Sequence, residues 1–245
     1  MLGVIILAAG EGKRMKSDKA KVLHEICGRP MIDYVLEIAK MLAPAKIALV
    51  VGDRMEQVVS FLKKEKVVFC IQSARKGTAH AVSCADGPFL GFPGKILVLC
   101  GDMPLIKIET VRKLLGYHDE KKSSATVLTG IVENPGAYGR IARDADGELD
   151  SIVEFADADE KIRGIKEVNS GCYVFESEAL WSSLSEIGSE NAQGEYYLPD
   201  IIKLLKNKGA TVAAFPADEP DELMGVNTPE ELAQAEKIIS SRRKG

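Results

Sequence analysis

The sequence predicts an α/β fold, a Rossmann-like, mostly parallel twisted sheet with helices on both faces and a small antiparallel extension. Three observations predict it. Short, nearly all-apolar runs alternate with amphipathic helical patterns through the first half, as strands buried on both faces do. The first run begins three residues into the chain and stops in a turn of small residues around Gly10. The second half breaks the alternation with short strand-like segments divided by turns, a pattern that suits antiparallel pairing.

Taken in order, Val4-Ile5-Ile6-Leu7 is the first strand, and Ala8-Ala9-Gly10-Glu11-Gly12 is its exit loop. Gly28-Arg29-Pro30 leads into a helix marked by Met31, Tyr34, Val35, Ile38 and Leu42, with Pro30 expected at its first position. Residues 46–51 form the second strand, closed by Gly52-Asp53, and Val58, Val59 and Leu62 mark the next helix. Residues 67–71 are the third strand, 77–85 a short helix and 95–100 the fourth strand. Ile108, Val111, Leu114 and Leu115 mark a further helix, and 125–129 the fifth strand. Right-handed crossovers follow from the handedness of such units. Residues 136–141, 151–154 and 169–175 are expected as the antiparallel extension over the ligand edge. Helices at 178–184 and 196–205 and a strand at 210–215 follow. The closing helix opens with a capping box from Thr228 to Glu231, with Pro229 in its first turn. The tail from Ser240 is expected to fray. With no clean linker, residues 1–245 read as one domain.

Composition narrows the function. The chain has 245 residues, 46% of them hydrophobic, and a formal net charge of -4. No basic patch dominates, which argues against nucleic-acid binding. The five cysteines lack a CxxC pair, so reduced thiols are expected rather than zinc ligands or disulfides. No apolar run approaches a membrane span, and residues 1–10 show no basic leader. A cytoplasmic protein without membrane partners is expected.

The first loop carries the chemistry. Leu7, Ala8, Ala9 and Gly10 let backbone N–H groups approach a ligand at the carboxyl end of a strand, where open α/β sheets bind. Lys13 and Arg14 place cations beside it. Neither common phosphate loop is present. Met15 stands where the dinucleotide fingerprint needs its third glycine, and Arg14 where Walker A needs Ser or Thr. The reading is a polyphosphate grip, against the alternative of a glycine turn without a ligand.

Gly101-Asp102, directly after the fourth strand, puts a carboxylate into the same crevice. Carboxylates there suit Mg²⁺, with phosphate oxygens completing the shell. Taken alone, Asp102 also fits an ordinary strand-to-helix turn. Asn227 could add a neutral oxygen, although capping chemistry also explains it. Lys21 could fold back over the loop and neutralise phosphate charge. Gln72, Gly77 and Thr78 could hold a planar base, because an amide pairs with both donors and acceptors; the alternative is that they are turn residues. Glu154 and Asn169 could take sugar hydroxyls. His24, His80 and His118 show no ligand spacing, and His80 is expected to face a helix partner. No nucleophile–base pairing is legible.

Leu7-Ala8-Ala9-Gly10-x-Gly12-x-Arg14-Met15 resembles the signature loop of sugar-1-phosphate nucleotidyltransferases. Further motifs follow in order: Lys21-Val22-Leu23-His24, Gln72 with Gly77-Thr78-Ala79-His80-Ala81, and Gly101-Asp102-x-Pro104. After them come Gly136-x-Tyr138-Gly139-Arg140-Ile141, Ile152-Val153-Glu154, Asn169-x-Gly171, the run Asn191 to Tyr197, and Gly225-Val226-Asn227. The set is similar to the uridylyltransferase half of bifunctional N-acetylglucosamine-1-phosphate uridyltransferases and covers nearly the whole chain.

The resemblance implies a fold of the nucleotide-diphospho-sugar transferase type, with 1–130 binding nucleotide, 131–227 binding sugar, and 228–245 as closing helix and tail. It implies that UTP and N-acetylglucosamine 1-phosphate become UDP-N-acetylglucosamine and pyrophosphate, a step toward cell-wall and lipopolysaccharide precursors. It casts Arg14, Lys21 and Asp102 as catalytic, with Asp102 and Asn227 as ligands of Mg²⁺. Leu7, Ala8, Ala9, Gly10 and Gly101 would line the nucleotide site, and Gln72, Gly77 and Thr78 would read uracil. Gly139, Glu154 and Asn169 would bind the sugar. Other readings are dTTP or CTP with a different phosphate, or nucleotide-sugar binding without turnover. Two departures stand out: the family usually has Thr where Lys13 stands and Pro where Ala20 stands. The family's left-handed β-helix is not in this sequence, so no acetyltransferase activity is expected. The oligomeric state stays open, and the family trimer is not assumed.

Overall fold

The structure, a computed structural model, describes residues 1–243. The apolar run near the amino terminus forms β1 (Leu2–Ala8) at the heart of a 9-stranded sheet. A hairpin, β2 (Glu25–Ile26) and β3 (Arg29–Pro30), leads into α1 (Met31–Met41). Then come β4 (Lys46–Val51), α2 (Met55–Phe61), β5 (Val68–Ile71), α3 (Thr78–Ser83) and α4 (Asp86–Phe89). These are followed by β6 (Lys95–Cys100), α5 (Ile108–Lys121) and β7 (Ala125–Ile131).

The second half contributes β8 (Arg140–Arg143), β9 (Leu149–Val153), α6 (Glu160–Arg163) and β10 (Glu167–Glu176). Next are α7 (Ser177–Leu184), α8 (Asp200–Asn207) and β11 (Val212–Pro216). The helix α9 (Pro229–Arg242) closes the described chain. The sheet runs β11-β7-β10-β6-β1-β4-β5, with β8 and β9 attached beside β10. β1 pairs in parallel with β4 and with β6.

Alternation along β1 assigns the two faces. Val4, Ile6 and Ala8 pack with residues of α1, α2 and α5, while Ile5 packs with residues of α3, α7 and α8. Both faces are covered, so Val4, Ile5 and Ile6 are fully buried. A third cluster joins Ile26, Met31, Leu105 and Val226 to Ala235 and Ile239 of α9. No described helix is long and apolar enough to cross a membrane.

The structure departs from expectation at several elements. Residues 169–175 were expected in the extension, but they belong to the ten-residue β10 inside the main sheet. That strand lies between β6 and β7, antiparallel to both. Its side chains explain the placement. Val168, Cys172 and Val174 bury on one face, Tyr173 and Phe175 on the other, so only a two-sided interior position satisfies them. β8 and β9 alone form the extension.

Pro30 precedes α1 as its N-cap rather than opening the helix. The helix expected from Tyr196 begins at Asp200, because the preceding backbone is spent elsewhere: the Tyr196 carbonyl accepts from Ala79 N at 2.9 Å. The capping box is present, with Thr228 and Glu231 exchanging bonds. Ser240 is helical instead of frayed, and Arg242 Nη1 donates to Leu105 O at 2.7 Å. Lys244 and Gly245, the remainder of that expected tail, lie outside the described residues.

Candidate active site

The exits of β1 and β6 are joined where the site begins. Gly101 N donates to Leu7 O at 2.8 Å. A Cβ on Gly101 would sit 3.1 Å from that same oxygen, so glycine permits the approach. The Ala8 and Ala9 side chains turn into the core clusters on opposite faces of the sheet, and Gly52 lies so close that a Cβ there would meet Ala9 O at 2.9 Å. Gly10 faces open space. Gly12 is left-handed, at φ 70°, and a Cβ there would lie 2.8 Å from Lys21 Cβ. Lys21 is therefore seated directly on the loop.

The chain before Lys21 is pinned by α2 and by Arg54, the residue that caps it. Arg54 donates to Ser17 O at 2.8 Å, Gln57 Nε2 to Asp18 O at 3.0 Å, and Ala20 N to Gln57 Oε1 at 2.8 Å. Lys21 is 8% exposed. Its ammonium donates to Asp102 Oδ2, and to Asn227 Oδ1 at 2.6 Å. Backbone holds that meeting in place, since Val226 N donates to Asp102 O at 2.9 Å. Asn227 is fixed in turn, donating through N to Glu231 Oε2 at 2.6 Å and through Nδ2 to Gly225 O at 3.1 Å.

The next wall is the turn before α3. Gln72 is buried, and its Nε2 lies 3.1 Å from Gly77 O and 3.0 Å from His80 Nδ1. His80 thus meets Gln72, not the helix partner expected from the sequence. With its nitrogen so engaged, the Gln72 amide keeps its oxygen for a ligand. Gly77 has φ 103°, and a Cβ would strike Tyr196 O at 2.4 Å. Thr78 Oγ1 accepts from Leu198 N at 2.9 Å. The segment before α8 is therefore the bed on which this turn lies.

A cleft of about 300 Å³ collects these groups: Leu7, Ala9, Gly10, Gln72, Gly77, Thr78 and Asp102 all line it. Arg75, Cys100 and Glu195 line it too. Arg75 pairs with Glu11, which also holds Lys13 at 3.2 Å. Burial and nearby Asp102 push the Cys100 thiol up to about 12, so it is no nucleophile at neutral pH. Arg14 is exposed and takes no ion pair among the described residues; it does not line the cleft.

The three residues assigned to sugar also converge. Asn169 N donates to Gly139 O at 2.9 Å. A Cβ on Gly139 would lie 3.2 Å from Glu154 Oε1. Asn169 Oδ1 accepts from Gly171 N and from Tyr173 OH, both at 2.9 Å, leaving its amide nitrogen without a protein partner among the described residues. Burial, then Asp200, Asp157 and Glu195, push Glu154 up to about 7. Tyr138 ties this wall to Asn227's loop, donating to Leu223 O and accepting from Gly225 N, each at 3.3 Å.

Residues 4–163 match the family model described as a MobA-like NTP transferase domain. The chain belongs to that family. This nucleotidyltransferase is 47% identical over 238 residues to proteins named bifunctional protein GlmU from Bacillus thuringiensis (strain Al Hakam) and Bacillus cereus (strain AH820). The match covers 97% of the chain and 52% of each relative, so the chain spans about half their length. Among solved structures it is similar to a putative glucose-1-phosphate thymidylyltransferase from Bacillus anthracis in complex with a sucrose. There the TM-score is 0.74, at 20% identity, over 97% of this chain and 95% of that one. It is also similar to a UDP-glucose pyrophosphorylase complexed with UDP-glucose, with TM-score 0.76, 17% identity and 98% coverage of both. At those identities the likeness concerns the fold: the nucleotide-sugar transferase architecture.

The transferase's residues fit a divalent cation. Asp102 and Asn227 are hard oxygen donors, the kind such ions take, and both reach one point, because a single ammonium contacts them together. Among the described residues no three His, Cys, Asp or Glu side chains gather to hold a metal. The rest of a coordination shell would fall to substrate and water. Sequence reasoning missed Arg75 and Glu195. Arg75 sits in a polar turn two residues before Gly77, and only its pairing with Glu11 across 64 residues reveals its place.

Proposed function

We propose that this transferase joins UTP to N-acetylglucosamine 1-phosphate, giving UDP-N-acetylglucosamine and pyrophosphate in the cytoplasm. One observation carries the reading: Lys21, Asp102 and Asn227 meet at the joined exits of β1 and β6. The base recess lies along the same cleft, and the Gly139–Glu154–Asn169 wall is tied to Asn227's loop through Tyr138.

A phosphate oxygen of the sugar phosphate attacks the α-phosphorus of UTP. The new O–P bond forms in line as the bond to the β-phosphate oxygen breaks, and pyrophosphate carries away the electron pair. No protein base is required, because a phosphate dianion is already the nucleophile. Catalysis then rests on alignment and charge neutralisation. Asp102 and Asn227 would hold Mg²⁺, which when bound would supply positive charge to phosphate oxygens. Lys21 places a buried ammonium beside the same phosphates, and Arg75 adds charge at the cleft wall. Gln72 presents its amide oxygen to the uracil imide N–H. Glu154 and the free amide nitrogen of Asn169 take sugar hydroxyl and amide groups.

Purified protein with UTP, Mg²⁺ and N-acetylglucosamine 1-phosphate is expected to release pyrophosphate. The comparison set is dTTP and CTP, and other hexose and hexosamine 1-phosphates. Preference for another pair would relocate the specificity. Tight UDP-sugar binding with no pyrophosphate from any pair would replace the enzyme with a sensor.

A further inference from the structure

The Lys21 ammonium stands where a cation held by Asp102 and Asn227 would stand. It bonds Asp102 Oδ2 and lies 2.6 Å from Asn227 Oδ1. Magnesium takes oxygen ligands at about 2.0–2.1 Å, so the ion and the ammonium cannot share that oxygen pair. We infer that Lys21 is an internal stand-in for the divalent ion: cation binding requires its side chain to leave Asp102 and Asn227, and the freed ammonium passes to the nucleotide phosphates. The inference rests on the metal assignment made above for Asp102 and Asn227.

Only the side chain is free to make that move. Lys21 opens a short 3₁₀ turn whose next residues, Val22 and Leu23, are buried. Its Cβ abuts Gly12, and Ala20 N is held by Gln57. The side chain is 9% exposed and that of Asp102 25%. An ammonium left unpaired at such depth is costly. Lys21 therefore gives up its two oxygens readily only when another anion is present, and the triphosphate is that anion. The free protein holds a divalent ion weakly, and nucleotide raises its affinity for the ion.

Mn²⁺ titrated into nucleotide-free protein, followed by electron paramagnetic resonance, tests this. Lys21→Met is expected to tighten Mn²⁺ binding by roughly tenfold or more, within the usual range of coupling between sites. Lys13→Met removes a cation from the same loop that pairs with Glu11 rather than Asp102, and is expected to change Mn²⁺ affinity by less than about twofold. Equal gains in both variants, or no gain in Lys21→Met, would overturn the inference.

Wild-type protein supplies a second measurement that does not depend on a variant folding. The Lys21 ¹⁵Nζ ammonium resonance is expected to be slowly exchanging in free protein and to shift when Mg²⁺ saturates the site. An unmoved signal at saturation would also overturn it. Neither readout uses turnover, so a failure of the UTP assay leaves both tests standing.

Discussion

Burial and the surrounding carboxylates of Asp200, Asp157 and Glu195 push Glu154 up to about 7 from its ordinary 4.5. The folded chain therefore keeps a proton that the unfolded chain has released by neutral pH. The stability linked to it is fully present below pH 4.5 and is lost as pH rises through about 7. Glu154→Gln is expected to match wild type at pH 4.5 and to be more stable at pH 8, by about 2 kcal/mol, read from thermal melts at both pH values. Asp102 stands in the cleft itself, with its side chain partly open to solvent. Asp102→Asn, which keeps an oxygen for the Lys21 ammonium, is expected to lower kcat/KM by at least about a hundredfold while shifting Tm by only a few degrees. Equal turnover in the two proteins would remove Asp102 from the chemistry. At this scale the sequence shows residue types but not meetings. Asp102 after a strand was legible, whereas its ion pair with Lys21, 81 positions away, has no period to betray it.

At the scale of elements, the turn before Lys21 shows a substitution absorbed by its neighbours. Ala20 stands where the resemblance implies a usual proline, and it keeps a proline-like φ of -55°. Its N–H, which proline lacks, is bonded to Gln57 Oε1. Ala20→Pro should gain about 0.4–1 kcal/mol from a stiffer unfolded chain and lose about 0.5–1.5 kcal/mol with the bond. The net is expected within about 1 kcal/mol of zero. Gln57→Ala is expected to cost less in the Ala20→Pro background than in wild type, a coupling that urea melts of the four proteins would show. The turn at Gly77 is less forgiving, because its backbone is left-handed and a Cβ would strike Tyr196 O. Gly77→Ala is expected to destabilise by about 2 kcal/mol or more and to raise the KM for nucleotide, measured by melts and initial rates. Local signals foretold the elements that local chemistry decides: the glycine exit of β1, the all-apolar β4 and β6, and the capping box of α9. They did not foretell the place of β10. A strand of alternating buried faces reads alike at an edge and at a centre, until its neighbours are known.

Across the whole molecule, the candidate site is assembled from distant stretches around one sheet. The loop after β1, the exit of β6, the turn before α3, the bulged β10 and the cap of α9 each contribute a residue or two. Alternation of strands and helices made the sheet legible, since each parallel strand carries its own covering helix. The order of strands was not, because sequence neighbours β6 and β7 are separated in space by β10. That insertion has a kinetic consequence. While the polypeptide emerges from the ribosome, β6 and β7 appear early with no native hydrogen-bonding edge to offer each other. β7, and the edge of β6 turned away from β1, wait for a strand made more than thirty residues later. Pulse-labelled hydrogen exchange during refolding is expected to protect β1, β4 and β6 first, and β10 and β7 together afterwards. Until that late zipper closes, two bare apolar edges are open to other nascent chains, which makes this interval the one in which chaperone attention matters most.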